Sequence, residues 1–262
     1  FTQSTDVPAN SGFSYSLRAT VTTADTSIAA GDYSLIVNPI EGYNVADLVG
    51  VPITLSFWVR SSKTGVHCIS FRNGVRTRSY ATEYTIITAN TWEKKTITIQ
   101  SGLNISSGAW DFSSGLGLQI SWSMATGTSS QSAANTWVDL NTFSTPNQVN
   151  CLDTVGNIFA ITGVQLEKGS VASEFEFRPY SEELTMCQRY FEIVGGTVKP
   201  SNGAYFVRPY KVKKRAAPTL TLLSGSTGGA NFDDWIDPLN CFRLPGNTNA
   251  TIAVDFSISA AA

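Results

Sequence analysis

The sequence predicts an all-β protein: an antiparallel β-sandwich, followed by a short helix and a small C-terminal β domain. Segments rich in Val, Ile, Thr and aromatic residues recur about every ten residues, and Gly, Asn or Pro separates them. Charged residues make up only 15% of the 262 residues, well below the usual quarter. Short strands at this spacing favour a sandwich over alternating strands and helices.

The clearest strand runs from Ile53 to Arg60. Phe57 and Val59 fall on its core face, whereas Trp58 and Arg60 fall on the opposite face, because successive strand residues point to opposite sides. The other strands of the sandwich are expected near 13–22, 32–40, 66–73, 79–87, 94–100, 115–124, 135–143 and 161–166. Asn73-Gly74 predicts a tight hairpin turn.

Residues Ile161 to Glu192 separate two regions of different composition. A strand from Ile161 to Leu166 is expected to turn at Glu167–Ser170 and return as a second strand, Glu174 to Arg178, with both of its Phe side chains buried. Ser181 can act as the N-cap of a helix. Leu184, Cys187 and Phe191 recur at helical spacing, so this helix can bury a stripe of side chains. At roughly three turns it needs packing against another surface to be stable.

The string VQLEKGSVASEFEFRPYSEELTMCQRYFE, which ends at Glu192, resembles the closing segment of a β-sandwich module in bacteriophage and prophage tail-fibre proteins. The resemblance extends in pattern from Leu17 to Glu192 and includes a jelly roll similar to carbohydrate-binding modules. It implies a receptor-binding protein of the phage tail, made in the host cytoplasm and acting outside the cell as part of the virion.

Three regions are expected: a jelly roll over 1–180, a linking helix over 181–193 and a β tip over 194–262. The tip has too few apolar residues for an independent core, and such small domains usually need a partner surface. In fibre proteins that partner is the same domain of symmetry mates, so a homotrimer is expected, with Leu184, Cys187 and Phe191 at an interface. The basic run from Lys211 to Arg215 is expected in solvent or, alternatively, against acidic residues of a neighbouring subunit.

Charge and hydropathy argue against two classes of partner. The net charge is −2 and no large basic cluster occurs, so neither nucleic acid nor an anionic membrane surface is expected as a main partner. No apolar run approaches eighteen residues, so membrane insertion is not expected. Because the chain begins at Phe1, we expect a fragment or processed product, with a missing N-terminal part that binds other tail or virion proteins.

The four cysteines, Cys68, Cys151, Cys187 and Cys241, are widely separated and have apolar or aromatic neighbours. They are expected to be buried reduced thiols, with disulfides as the alternative. No metal-ligand spacing occurs, so neither a metal nor another cofactor is expected.

Titratable residues that could form a catalytic group are few. The only histidine, His67, lies within a predicted strand, where a structural role is expected. A carboxylate pair for glycoside hydrolysis would have to come from Asp111, Asp139, Asp153, Glu174 and Glu176. No hydrolase motif surrounds them, so the chain is expected not to be an enzyme. A polysaccharide depolymerase is the less favoured alternative.

Sugar binding needs different side chains: aromatic faces that stack on pyranose rings and polar groups that bond to hydroxyls. The candidates for such a site are Trp58, Arg60, Trp110, Trp137 and Asp139. Packing between the two sheets is the alternative role for these tryptophans, and Trp92 and Trp122 are expected in the core.

A second candidate contact lies in the tip, where Asp233, Asp234 and Trp235 are expected in an acidic, aromatic loop. Their spacing does not match a known calcium loop, so no metal is assigned. The sequence therefore predicts a non-enzymatic trimer that attaches to a host surface polysaccharide or lipopolysaccharide. The alternative is a structural virion protein, a decoration or fibre-shaft element, that binds only protein neighbours.

Overall fold

In the computed structural model the chain forms two compact units, residues 1–176 and 177–262. The structure describes residues 1–197, 205–216, 219–226, 233–237, 241–245 and 249–255. Within these ranges no helix is long and apolar enough to cross a membrane.

The first unit is an antiparallel β-sandwich, as the sequence predicts. Its strands are β1 (Thr2–Ser4), β2 (Ser16–Thr20), β3 (Tyr33–Glu41), β4 (Ile53–Ser61), β5 (Gly65–Asn73), β6 (Ser79–Ile86), β7 (Glu93–Ile99), β8 (Leu116–Thr126), β9 (Thr136–Val138) and β10 (Ile158–Lys168). Sheet 1 has the order β1-β2-β10-β4-β7 and sheet 2 has the order β3-β8-β5-β6-β9. This architecture confirms the predicted fold class.

The core of the sandwich lies between the two sheets and is centred on aromatic side chains. Phe57 of sheet 1 makes edge-to-face contacts with Tyr84 and Trp122 of sheet 2, with ring centroids 5.3 and 5.7 Å apart. Phe57 and Trp122 are both fully buried. Burial of large aromatic side chains supplies much of the hydrophobic stabilisation of such a core. The assignment of Trp122 to the core is therefore correct.

Trp92 is not a core residue. It is half-buried, and its indole N–H donates a hydrogen bond to Asp6 over 3.1 Å. It immediately precedes Glu93, the first residue of β7, which pairs with Val59 of β4. The indole therefore lies at the start of β7, in contact with the N-terminal segment.

The predicted strand from Glu174 to Arg178 does not form. Side chains hold this segment instead: Gln165 accepts a hydrogen bond from the backbone N–H of Glu176, and Glu167 accepts one from that of Ser173. Phe175 stacks edge-on against Phe13 at 4.9 Å, whereas Phe177 is 58% exposed. The alternating pattern is a local signal, whereas the conformation of this segment depends on hydrogen bonds to side chains of β10.

The second unit begins with helix α1 (Tyr180–Gln188), and Ser181 lies inside it rather than at its N-cap. Pro179 precedes the helix, and no side chain caps it. None of its residues is buried. The described strands that follow are β11 (Phe191–Thr197), β12 (Tyr205–Pro209), β13 (Thr219–Ser226), β14 (Asp233–Asp237), β15 (Cys241–Pro245) and β16 (Asn249–Asp255). They form two three-stranded sheets, β11-β16-β13 and β12-β15-β14.

A buried ion pair connects the helix end to the basic run of the second unit. Lys214 is 1% exposed and Glu192 is 4% exposed, and the Lys214 Nζ lies 3.0 Å from Glu192 Oε2. The same Nζ donates to the carbonyl oxygen of Gln188, the last residue of α1. The helix dipole favours a cation at this C-terminal end. Lys211 and Lys213 are exposed, but the expectation of a solvated basic run is wrong for Lys214.

The cysteine prediction is correct for two residues and wrong for one. Cys68 and Cys151 are buried free thiols, whereas Cys187 is an exposed free thiol. Cys241 lies in β15.

His67 is buried in the core and has a structural role. Its ring lies between Tyr84 and Phe159, at centroid distances of 5.7 and 5.9 Å. Its Nε2 is 3.0 Å from the carbonyl oxygen of Lys63, so Nε2 carries the proton. Burial lowers the pKa of His67 because desolvation disfavours the charged imidazolium.

This burial predicts a pH dependence of stability. The unfolded chain takes up a proton at His67 below pH ~6.5, whereas the folded protein resists protonation, so stability should fall as the pH drops below that value. His67→Gln should remove this component, which amounts to at most ~1.4 kcal/mol per pH unit. Urea unfolding of both proteins at pH 7.5 and 5.5 measures the difference. Equal losses in wild type and variant would refute the assignment.

The Lys214–Glu192 pair predicts a double-mutant effect. Lys214→Met leaves a buried carboxylate uncompensated and should cost ~3–5 kcal/mol, whereas Lys214→Met combined with Glu192→Leu should recover most of that loss. Thermal unfolding of the two variants and the wild type provides the comparison. A single variant as stable as the double variant would contradict the pairing.

Candidate functional site

The segment between β7 and β8, residues 100–115, carries the candidate site, and close backbone contacts fix its position. Gly42 donates its N–H to the carbonyl oxygen of Gly115, and Tyr43 donates to that of Ser113, both over 2.9 Å. A Cβ on Gly42 would lie 2.4 Å from the carbonyl oxygen of Asp111, and one on Gly117 would lie 2.6 Å from the Gly42 Cα. Glycine is needed at both positions because any side chain would displace the segment.

This segment borders an open depression of about 460 Å³. Two aromatic side chains, a carboxylate, a hydroxyl and three aliphatic side chains line it, and they belong to Val75, Ala109, Trp110, Asp111, Phe112, Ser113 and Leu116. Trp110 and Phe112 are half-buried and pack against the edge of the core. The depression therefore combines aromatic surface with polar groups that can bond to hydroxyls.

Trp137 supports Trp110 from behind. The two indole rings meet edge-to-face with centroids 6.0 Å apart, and Trp137 also contacts Tyr80 at 5.4 Å. Both indole N–H groups bond to backbone carbonyl oxygens: Trp110 to Ser107 over 3.1 Å and Trp137 to Gly102 over 3.2 Å. These contacts hold the Trp110 ring in place and make Trp137 a positioning residue.

Asp139 follows β9 and lies outside the lining of the depression. It forms a 2.7 Å ion pair with Arg78, whose side chain is 9% exposed compared with 60% for Asp139. Hydrogen bonds from Ser107 and Arg78 lower the pKa of Asp139. Because Arg78 also approaches Ser106, the pair connects the 100–115 segment to the chain after β9.

The chain after β9 covers the outer face of sheet 2. Arg72 donates to Asn141 over 2.9 Å and lies 4.4 Å from the Phe143 ring. Ser79 bonds to the carbonyl oxygen of Leu140 and to the Thr142 hydroxyl. Arg72 is 3% exposed, and burial lowers its pKa to about 10. These contacts fix residues 139–145 and thereby the position of Asp139.

Trp58 and Arg60 lie on a different surface, the outer face of sheet 1. Arg60 pairs with Ala160 and Trp58 with Thr162 in the register of β4 and β10. Arg60 forms an ion pair with Asp6, which also accepts the Trp92 indole N–H. This network anchors the N-terminal segment to the sheet.

The five residues predicted to bind sugar therefore divide into two groups. Trp58 and Arg60 lie on sheet 1, whereas Trp110, Trp137 and Asp139 lie at or near the depression, which only Trp110 of the five lines.

Asp153 and Asp111, two more of the carboxylates named from the sequence, accept hydrogen bonds from neighbouring groups. Asp153 is bonded to Lys63 and Asn157, and Lys63 lowers its pKa. Asp111 Oδ1 accepts hydrogen bonds from the backbone N–H and the hydroxyl of Ser113, both over 2.6 Å. Within the described ranges, no group of three or more His, Cys, Asp or Glu side chains is arranged to hold a metal ion.

Cys151 and His67 lie close enough to resemble a catalytic pair but have the wrong charge states. The Cys151 Sγ is 3.7 Å from His67 Nδ1. Burial raises the pKa of Cys151 to about 12 and lowers that of His67. Both groups are therefore neutral near pH 7, and a thiolate nucleophile does not form there.

The residues predicted at an interface are exposed, whereas the residues predicted in a tip loop lie in a strand. Leu184 and Phe191 are 39% and 45% exposed, and Cys187 is exposed. Asp233, Asp234 and Trp235 lie in strand β14 and not in a loop, so that part of the prediction is wrong. Asp233 pairs with Arg243 of β15 in the strand register.

Sequence reasoning named Trp110 but missed its neighbours as a group. In the sequence Asp111 is one of several separate carboxylates, and neither Phe112 nor Val75 is among the expected contacts. The consecutive residues Trp110, Asp111 and Phe112 in a Gly/Ser-rich segment were an available signal. Val75 could not be found this way, since it reaches the depression from the β5–β6 turn.

No family model and no curated protein matches the chain. One solved structure matches: the enzymatically active domain of tailspike protein 4 from bacteriophage CBA120, with 19% sequence identity and a TM-score of 0.36. The match covers 64% of this chain and 17% of that chain.

The expectation that the chain is not an enzyme is corrected by this match. The matched domain is described as enzymatically active, and the non-enzymatic assignment is withdrawn. At this TM-score, no residue, substrate or reaction is transferred from that protein to this one.

Proposed function

We propose that this chain is the glycan-binding part of a phage tail protein and contacts a host surface polysaccharide or lipopolysaccharide through the Trp110 depression. The observation that carries the proposal is the open depression in which Trp110 and Phe112 flank Asp111. Aromatic faces stack on the apolar faces of sugar rings, and the carboxylate can accept hydrogen bonds from hydroxyls. The resemblance of the segment that ends at Glu192 to tail-fibre modules supports the assignment to a phage tail.

Preorganisation favours binding at this depression. Backbone bonds to Gly42 and Tyr43 hold the segment, and Trp137 packs behind Trp110. A site that is already in place loses less conformational entropy when a flexible glycan binds.

We also propose that the chain assembles as a homotrimer through α1 and the start of β11. Leu184, Met186 and Phe191 leave apolar surface exposed in this region, and short exposed helices need such packing to be stable. Three weak glycan sites on one particle would bind a polymeric surface with avidity.

Two other functions remain to be separated by experiment. A structural virion protein would bind neighbouring proteins and no glycan, whereas a depolymerase would bind a glycan and cleave it. A glycan array of bacterial surface polysaccharides and lipopolysaccharides tests the first. An assay for newly formed reducing ends with every glycan that binds tests the second.

Trp110→Ala should weaken binding to any glycan found on the array by about tenfold or more, or ~1.4 kcal/mol, because it removes the central aromatic contact. Isothermal titration calorimetry measures the change. Trp58→Ala is the matched control, since Trp58 lies on the outer face of sheet 1, and it should bind as the wild type does. A loss confined to Trp58→Ala would place the site on sheet 1, and thermal unfolding of each variant checks that it is folded.

Phe191→Ser should shift the chain from trimer towards monomer, since it replaces an apolar contact with a hydroxyl at the proposed interface. Light scattering over a range of concentrations measures the mass. Phe1→Ser, which alters a 73% exposed aromatic residue of the first unit, should leave the oligomer intact. A wild-type monomer, or a Phe191→Ser variant with an unchanged trimer, would disprove the assignment of this interface.

A further inference from the structure

A tyrosine lies beside the depression, on the turn that follows β3. Tyr43 belongs to a short 3-10 turn, Gly42–Asn44, and its side chain is 65% exposed. Its backbone N–H donates to the carbonyl oxygen of Ser113 over 2.9 Å, so its Cα lies within about 4.4 Å of that oxygen. Ser113 lines the depression, whereas Tyr43 does not. Tyr43 is therefore adjacent to the lining and outside the depression itself.

Buried residues on both sides of Tyr43 fix the turn that carries it. Gly42 is buried, and a Cβ there would lie 2.4 Å from the carbonyl oxygen of Asp111. Val45 is fully buried, and its N–H donates to the carbonyl oxygen of Gly42 over 3.1 Å. A ligand that packs on the Tyr43 ring therefore does not have to order a loop, and a tyrosine side chain has little conformational entropy to lose.

The strand order of sheet 2 indicates how wide the combined surface is. Strand β8 lies between β3 and β5, and its first residue, Leu116, pairs with Glu41 at the end of β3. The turn with Tyr43 follows β3, and the turn with Val75 follows β5, so the two turns lie on opposite sides of the start of β8. Two strand spacings separate them, about 10 Å, which is wider than one pyranose ring.

We propose that Tyr43 is a second aromatic contact of this site, and that the site holds two or more consecutive sugar units of a polysaccharide chain. This inference rests on the proposed glycan-binding function and adds the form of the glycan, an internal stretch of a chain rather than a single sugar. One unit stacks on Trp110, and a neighbouring unit packs against the ring of Tyr43. The depression is open, so a chain can continue beyond it.

Fragments of defined length test the inference on the full chain. The probes come from the polysaccharide that binds on the array, cut by partial acid hydrolysis and separated by size, from single sugars upwards. Titration calorimetry measures the affinity for the shortest fragment that binds and for the longest. Tyr43→Ala should weaken binding of the longest fragment about fivefold, the value of one aromatic contact, and should leave the shortest within about twofold of the wild type.

Three further variants serve as controls. Tyr43→Phe keeps the ring and should bind every fragment nearly as the wild type does. Tyr15→Ala removes a tyrosine that is 53% exposed next to β2 of sheet 1, and it should change nothing. Trp110→Ala should weaken fragments of every length. Longer fragments also offer more binding registers, so the difference between Tyr43→Ala and Tyr15→Ala is the measure, and thermal unfolding checks that each variant is folded.

The outcomes separate the inference from the function on which it rests. If Tyr43→Ala binds the longest fragment as the wild type does, or loses as much affinity for the shortest fragment as for the longest, the inference is overturned. Binding that still depends on Trp110 would leave the glycan-binding proposal in place in either case. Failure of the wild type to bind any glycan on the array would overturn both.

Discussion

The packing of Phe57 against Trp122 and Tyr84 between the two sheets is the contact on which the rest of the first unit depends. Because side chains alternate along a strand, burying these rings fixes which residues of each central strand face outwards. It places Trp58 and Arg60 on the outer face of sheet 1 and Arg72 on that of sheet 2. The segments that cover these faces are held by hydrogen bonds and ion pairs to the outward-facing polar side chains, as Asn141 is by Arg72 and Asp6 is by Arg60.

The candidate site lies where a long connection meets the edge of this core. The connection between β7 and β8 can approach Gly42 and Gly117 because neither carries a side chain. Its tryptophan then rests on Trp137, which β9 supplies from the other sheet edge. The site thus combines residues from four parts of the sequence, and the backbone contacts rather than the aromatic residues determine its shape.

The sequence predicted the sandwich well because strand periodicity and turn residues are local signals, and they located eight of its strands closely, β2 to β8 and β10. The expected strand 135–143 is shorter than predicted, since β9 ends at Val138. The sequence predicted Trp122 and His67 correctly for the same reason as the eight strands, since each lies on an apolar strand face. It failed where a non-local polar contact decided the outcome. Gln165 and Glu167 bind the backbone of 173–176, and Glu192 buries Lys214, and neither contact leaves a periodic pattern.

The site was only half predictable. Trp110 was named because an aromatic residue in a Gly/Ser segment is conspicuous, but its partners depend on how the β5–β6 turn and β9 meet in space. Trp58 and Trp110 are equivalent as residue types in the sequence. The structure distinguishes them, because Trp58 belongs to a sheet face anchored by the Asp6 network and Trp110 lines a depression.

The most direct test of this account is a crystal structure of the chain soaked with an oligosaccharide identified on the glycan array. The account predicts electron density for a sugar ring stacked on Trp110, with a hydroxyl within hydrogen-bonding distance of the Asp111 carboxylate. A sugar ordered against Trp58 on sheet 1 or in the second unit, with the Trp110 depression empty, would contradict it.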